Sequence, residues 1–326
     1  MQAELESGRH QQKVKKVASK TPFHILAKPI GPICNLDCHY CFYLDRESIF
    51  PQHRKPSDFR MDDQTLKVFV EQYIRSQPGR EVHFAWQGGE PTLLGIDYFR
   101  KVVELQKRYL EPGKQIHNAF QTNGVLLDDK WCEFFAKEKF LVGLSIDGPR
   151  ELHDRYRVTR GGKPTFDDVM RGLNLLKVHG VRFNTLTVVH RELTYHPLEV
   201  YEFLREHGSR YIQFIPLVER DAAAKLRPQA ERGRLTVLQP GPTVEPWTVE
   251  SLQFGEFLRK IFDCWVRRDV GKTHVQTFDA QKILKGRESN TTNINRATFL
   301  HLLSRLCRGP GVGWSSYLNA SSGSNL

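Results

Sequence analysis

Three cysteines fall within eight positions, Cys34, Cys38 and Cys41, in the stretch KPIGPICNLDCHYCFYLD that begins at Lys28. Thiolates this close can share a metal only from irregular backbone, which Gly31, Pro32 and Asn35 favour. A structural zinc site wants four protein ligands, usually as two separated pairs. No second pair stands at such a distance, and His39, adjoining Cys38, would have to fold back sharply to serve. A four-iron cluster that only carries electrons takes four thiolates. Three leave one iron open, and an open iron is what a catalytic cluster needs in order to hold a small ligand. The spacing therefore reads as a cofactor-activating site. The remaining cysteines are scattered: Cys132 (WCEFF) and Cys264 (FDCWV) sit in apolar helical surroundings and read as small hydrophobes, and Cys307 stands alone.

Such a loop needs a scaffold, and short apolar runs alternate with helical patterns on either side of it. Six strands are expected, at 23–28, 81–86, 116–122, 141–146, 181–189 and 211–216. Between them run helices with a 3.6-residue period. Leu66, Phe69, Val70, Tyr73 and Ile74 share one face, as do Phe166, Val169, Met170, Leu173 and Leu176 of a helix capped by Thr165 and closed by Gly180. Strand and helix in alternation give an α/β fold with parallel strands. A closed eight-stranded barrel takes about 250 residues, so six units point to a partial (β/α)6 barrel. Ligands of such sheets bind beyond the carboxyl ends of the strands. The polar and Gly-rich runs lie there: Gln87-Gly88-Gly89-Glu90-Pro91 after the second strand, Gln121-Thr122-Asn123-Gly124 after the third, Ser145-Ile146-Asp147-Gly148-Pro149 after the fourth. Paired glycines let backbone approach a ligand closely. For Asp147, turn and ligand contact both stay open, while Ser145 reads as a contact.

The three-cysteine spacing, with the aromatic Tyr40 before the last cysteine, resembles the hallmark of the radical S-adenosylmethionine (SAM) superfamily. The resemblance implies a [4Fe-4S] cluster on Cys34, Cys38 and Cys41 with SAM chelated on its open iron, and reductive cleavage of SAM to a radical that abstracts hydrogen from carbon. It also implies the superfamily's type of partial barrel. Tyr40, Gly88, Gly89, Glu90 and Ser145 would hold SAM, and Arg157 would pair with its carboxylate. Within the superfamily, AKPIGPICNLDCHYCFYLD, FAWQGGEPTLLG, FQTNGVLLDDKWCEFF, LVGLSIDGPRELHDRYR and QFIPLVER look like the anaerobic sulfatase-maturating enzymes. By that likeness Tyr43, Gln87 and Gln213 would face a sulfatase polypeptide, whose cysteine or serine is oxidised to Cα-formylglycine. An electron donor such as flavodoxin or ferredoxin would be a partner. No catalytic base is assigned: Asp279 is the nearest carboxylate, but no cluster cysteine adjoins it.

The likeness runs from about residue 22 to about 280. Four segments are expected: a polar basic tail (1–21), a radical SAM core (22–218), a linker with an amphipathic helix at about 250–268 (219–280), and a tail (281–326) with one cysteine where the family carries a Cys-rich extension for two further clusters. That tail reads as a truncation, an altered reading frame or an aberrant gene model, with maturation impaired. A regulatory protein that binds SAM or a sulfatase without maturing it is the alternative, and a zinc-stabilised domain a third reading.

Composition narrows the remaining classes. Of 326 residues 39% are apolar and 26% charged, which excludes disordered and collagenous chains. The net charge of +11 gathers at the ends: five Lys or Arg against two Glu in residues 1–20, and six against one in 281–326. No basic run with interleaved aromatics marks a nucleic-acid surface. With no long apolar run and no secretory leader, the expected location is cytoplasmic, away from membranes, where an oxygen-sensitive cluster survives.

Overall fold

The computed structural model describes residues 19–41, 43, 52, 55–219 and 244–279. Seven parallel strands form one sheet among these residues, in the order of the chain: β1 (Ile25–Ala27), β2 (Glu81–Trp86), β3 (Gln115–Thr122), β4 (Leu141–Ser145), β5 (Arg182–Val189), β6 (Tyr211–Pro216) and β7 (His274–Val275). The six expected strands are present. The seventh escaped the sequence pattern because two residues are too few to show an alternation. β1 and β7 are the two edges of this open, partial barrel.

Helices cross between the strands: α1 (Asp63–Ser76), α2 (Ile96–Tyr109), α3 (Asp129–Lys137), α4 (Arg150–Asp154), α5 (Phe166–Val178), α6 (Pro197–Glu206) and α7 (Ser251–Arg268). Their starts follow from the sequence where an aspartate precedes the first turn. Asp62 accepts from Thr65 N at 2.7 Å and Asp128 from Trp131 N at 2.9 Å. Thr165 does not cap α5 in this way: its hydroxyl donates to the Arg157 carbonyl at 2.7 Å. Gly180 does end α5 with φ +64°, a left-handed turn that suits glycine.

The core lies between sheet and helices. Val82, Phe84 and Trp86 of β2, Phe120 of β3 and Val142 and Leu144 of β4 are buried against Leu66, Val70 and Ile74 of α1, Phe99 and Val102 of α2 and Phe135 of α3. Asn118 is buried on the same side of β3. It accepts from Trp86 Nε1 and exchanges two hydrogen bonds with Gln106 of α2, so its amide is satisfied. α7 buries Phe257, Leu258, Ile261, Phe262 and Trp265 in this same core, against Phe214 of β6 and Phe278. Cys132 is fully buried as the small hydrophobe expected, whereas Cys264 is half-exposed beside Glu202 and Arg268. No helix of the described residues is long and apolar enough to cross a membrane. The tail readings for 1–18 and 280–326, and most of the linker (220–243), lie outside the described residues.

Candidate active site at the carboxyl ends of the strands

The loop that follows β1 carries the three cysteines, and backbone holds it from two sides. On one side Asp37 N donates to Val158 O at 2.9 Å, His39 N to Tyr156 O at 3.0 Å, and Leu36 forms an antiparallel bridge with Thr159. Arg160 Nε adds a bond to the Cys34 carbonyl at 3.1 Å. On the other side Gly89 N donates to Gly31 O at 2.8 Å and Glu90 N to Ile33 O at 2.9 Å. This close approach is why glycines stand there. A Cβ on Gly88 would lie 2.9 Å from the Gly31 oxygen, and one on Gly89 would overlap the Ile33 carbonyl. Gly88 also has φ +139°. Before any ligand is considered, the glycine pair seats the cysteine loop.

Cys38 is buried and Cys34 and Cys41 half-buried, in a small cluster with Leu36, Tyr40 and Leu217 that is separate from the main core. Burial pushes the Cys34 thiol up to about 12, and Cys38 to about 11 despite the nearby Arg157 charge. Among the described residues no group of three His, Cys, Asp or Glu converges closely enough for a single metal ion. A four-iron cube, which takes one thiolate on each of three separate irons, requires sulfurs spread around it. Leu36 N and Asn123 Nδ2 point at Cys34 Sγ at 3.4 and 3.7 Å, the kind of donor that sulfur ligands of such clusters accept. The loop thus fits a four-iron cluster.

The expected cofactor residues gather around it. Tyr40 is buried; its hydroxyl donates to Asp147 Oδ2, and the Arg157 guanidinium lies over its ring at 5.6 Å. Arg157, also buried, grips Asp147 through Nε at 2.8 Å and Nη2 at 3.1 Å. Burial works to raise the Asp147 carboxyl, but Arg157 overrides it and holds it below the usual range. The Ser145 hydroxyl accepts from Gln121 Nε2 at 2.9 Å. Gln121 reaches it across the bare Cα of Gly143, its register partner in β4, where a Cβ would strike the Gln121 amide.

Glu90 is fully buried, and four donors occupy its carboxylate: Thr92 N at 3.0 Å, Thr92 Oγ1 at 2.7 Å, Thr122 Oγ1 at 2.9 Å and Asn123 N at 2.7 Å. Burial still raises its pKa. Of the expected substrate residues, Gln87 follows β2, Tyr43 lies just beyond the cysteine loop, and Gln213 lies within β6. Gln87, half-buried, continues β2 with its N–H on Ala27 O at 2.9 Å; Tyr43 has Lys28 Nζ 5.0 Å from its ring centre; Gln213 pairs in register with Leu186.

Three contributors were not foreseen. Leu217, just beyond β6, packs on the cysteine loop. Asn123 bridges Asn35 and Cys34. Buried His153 accepts from Asp147 N with Nδ1 at 3.3 Å and meets Thr165 Oγ1 with Nε2 at 3.1 Å. Because Thr165 already donates to Arg157 O, the His153 proton sits on Nε2 and the ring is neutral. Burial, then the Arg157 charge, lower its pKa to about 3.

This arrangement has known counterparts. Residues 29–204 match the Radical SAM superfamily model. The chain belongs to the radical SAM superfamily. It is 42% identical over 261 residues to a serine-type anaerobic sulfatase-maturating enzyme of Bacteroides thetaiotaomicron, covering 79% of this chain and 61% of that one. It is 34% identical to a cysteine-type enzyme of Clostridium perfringens, covering 82% and 68%. A solved structure described as native anSMEcpe with bound AdoMet and Cp18Cys peptide superposes with a TM-score of 0.66 at 32% identity, over 79% of this chain and 64% of that one. The chain thus spans about three fifths of the length of the serine-type relatives.

Proposed function

We propose that this radical SAM chain oxidises a serine or cysteine of a sulfatase polypeptide to Cα-formylglycine. The observation that carries the reading is the cysteine loop itself, seated by Gly88–Glu90 on one side and by residues 156–160 on the other, with the Asp147–Arg157 pair beside Cys38. Cys34, Cys38 and Cys41 would hold a [4Fe-4S] cluster, which with SAM on its open iron supplies a radical able to take a hydrogen atom from the substrate Cβ. Arg157 and Ser145 offer donors that suit a carboxylate, and the Tyr40 ring lies beneath the Arg157 guanidinium. Gly88 and Gly89 would bring backbone to SAM only through the cysteine loop that they seat. Glu90, with its carboxylate fully engaged, serves by fixing the end of β3 against the turn at Pro91. Tyr43, Gln87 and Gln213 would face the peptide.

The serine-type relatives are the more similar, at 42–44% identity against 31–34% for the cysteine-type, which favours a seryl substrate. An electron must reach the cluster, and a flavodoxin or ferredoxin in a reducing cytoplasm would provide it. The test is anaerobic reconstitution with iron and sulfide, then dithionite, SAM and sulfatase-derived peptides carrying Ser or Cys. The expected result is 5'-deoxyadenosine together with an aldehyde-bearing peptide, the seryl peptide losing two hydrogens in the mass spectrum. 5'-Deoxyadenosine without any modified peptide would refute maturation, and a chain that takes up no iron would refute the superfamily chemistry.

A further inference from the structure

We propose that Asp147 is the positioning residue of the SAM site, fixing Arg157 and Tyr40 before the cofactor arrives; this rests on the radical SAM reading above. Asp147 is completely buried, and every feature of its surroundings converts it into a junction. Oδ2 takes the Tyr40 hydroxyl and Arg157 Nε; Oδ1 takes Arg157 Nη2 and, at 2.9 Å, the backbone N–H of Val188 in β5. Its own N–H is held by neutral His153, whose far nitrogen reaches Thr165, whose hydroxyl returns to the Arg157 carbonyl. The circuit joins the cysteine loop, the ends of β4 and β5, α4 and the start of α5.

Two physical consequences follow. A guanidinium buried without a partner is strongly disfavoured, so Arg157 can stand beside Cys38 only because Asp147 neutralises it. A tyrosine two residues from Cys38 and next to Cys41, tied at its hydroxyl and covered by Arg157, fixes the segment between those cysteines. Asp147 therefore acts on SAM through these two side chains, without touching it.

The test compares wild type, Asp147→Asn, Arg157→Lys, the double variant and Tyr40→Phe after reconstitution, measuring iron per chain and SAM dissociation constant by equilibrium dialysis. Asp147→Asn is expected to keep its iron while weakening SAM at least tenfold. Arg157→Lys should weaken it similarly, and the double variant no more than the worse single, because both changes break one unit. A merely structural role would lower iron per chain together with SAM affinity. Additive losses, or an Asp147→Asn protein with wild-type affinity, overturn the proposal. Should Asp147→Asn fail to fold, Tyr40→Phe keeps the ion pair and removes a single hydroxyl. A two- to fivefold weaker SAM affinity at full iron supports the junction, and an unchanged affinity refutes it. A loaded wild-type protein that binds no SAM would instead defeat the underlying reading.

Discussion

At the scale of single residues, the glycine pair separates two uses of flexibility. Gly89 stands where a side chain would collide with backbone, that of Ile33 and Pro32, which cannot swing aside. Gly79 has nothing within 4 Å of its notional Cβ, and its φ is not positive. Gly89→Ala is therefore expected to displace the cysteine loop, lowering iron per chain after reconstitution and costing about 1–3 kcal/mol by overpacking. Gly79→Ala should leave iron intact and stabilise slightly, by about 0.4–1 kcal/mol, through the unfolded chain. Denaturant melts with iron assays on both variants check the pair; equal iron in the two would mean that the loop tolerates the clash. The cysteines and the Gly-Gly motif were legible in the sequence because their types and spacing are specific. The role of Asp147 was not, since its partners Tyr40 and Arg157 lie 107 and 10 residues away and only folding brings the three together.

At the scale of elements, the strands could be read as short apolar runs between helical patterns, some of them alternating in burial, as in β2, where Val82, Phe84 and Trp86 are buried and His83 and Ala85 less so, and some buried nearly throughout, as in β4. The loop order followed from the alternation of strand and helix, since parallel strands put every following loop at one end. The place of α7 could not be read from a helical period alone, because a period tells which face is apolar and not what covers it. The structure answers that: Phe257 is fully buried and meets the ring of Phe214 in β6 at 5.2 Å, edge to face. Residues 251–268 thus belong to the core of the sheet. Phe257→Ala is expected to lower stability by about 3–5 kcal/mol. Urea unfolding followed by far-ultraviolet circular dichroism and by tryptophan fluorescence should shift as one transition. Separate transitions for the two probes, with the sheet unaffected, would make α7 an independent appendage.

At the scale of the whole molecule, stability against acid should be set by histidines that the fold keeps neutral. His153 is fully buried, with its pKa lowered to about 3 by burial and by Arg157, and burial also lowers His83 and His190. An unfolded histidine takes up a proton below about 6.5, which the folded His153 refuses until much lower pH. Between those values the unfolded state binds more protons, so stability rises with pH and is lost as pH falls, by up to about 1.4 kcal/mol per pH unit for each such histidine. Asp147, held low by Arg157, adds a loss of the same sign further down, below the unfolded carboxylate range. Glu90 works against both: its pKa is raised, so protonating it as pH falls toward the ordinary carboxylate value favours the fold. For His153 the window runs from about 6.5 down to about 3. The melting temperature of the apo chain is therefore expected to be level above about pH 7 and to fall steadily from pH 6.5 downward. His153→Gln, which keeps a polar side chain between Asp147 N and Thr165 but cannot titrate, should flatten the part between pH 6.5 and about 4.5 while lowering the plateau. An unchanged slope in that variant would show that the acid response belongs to other groups.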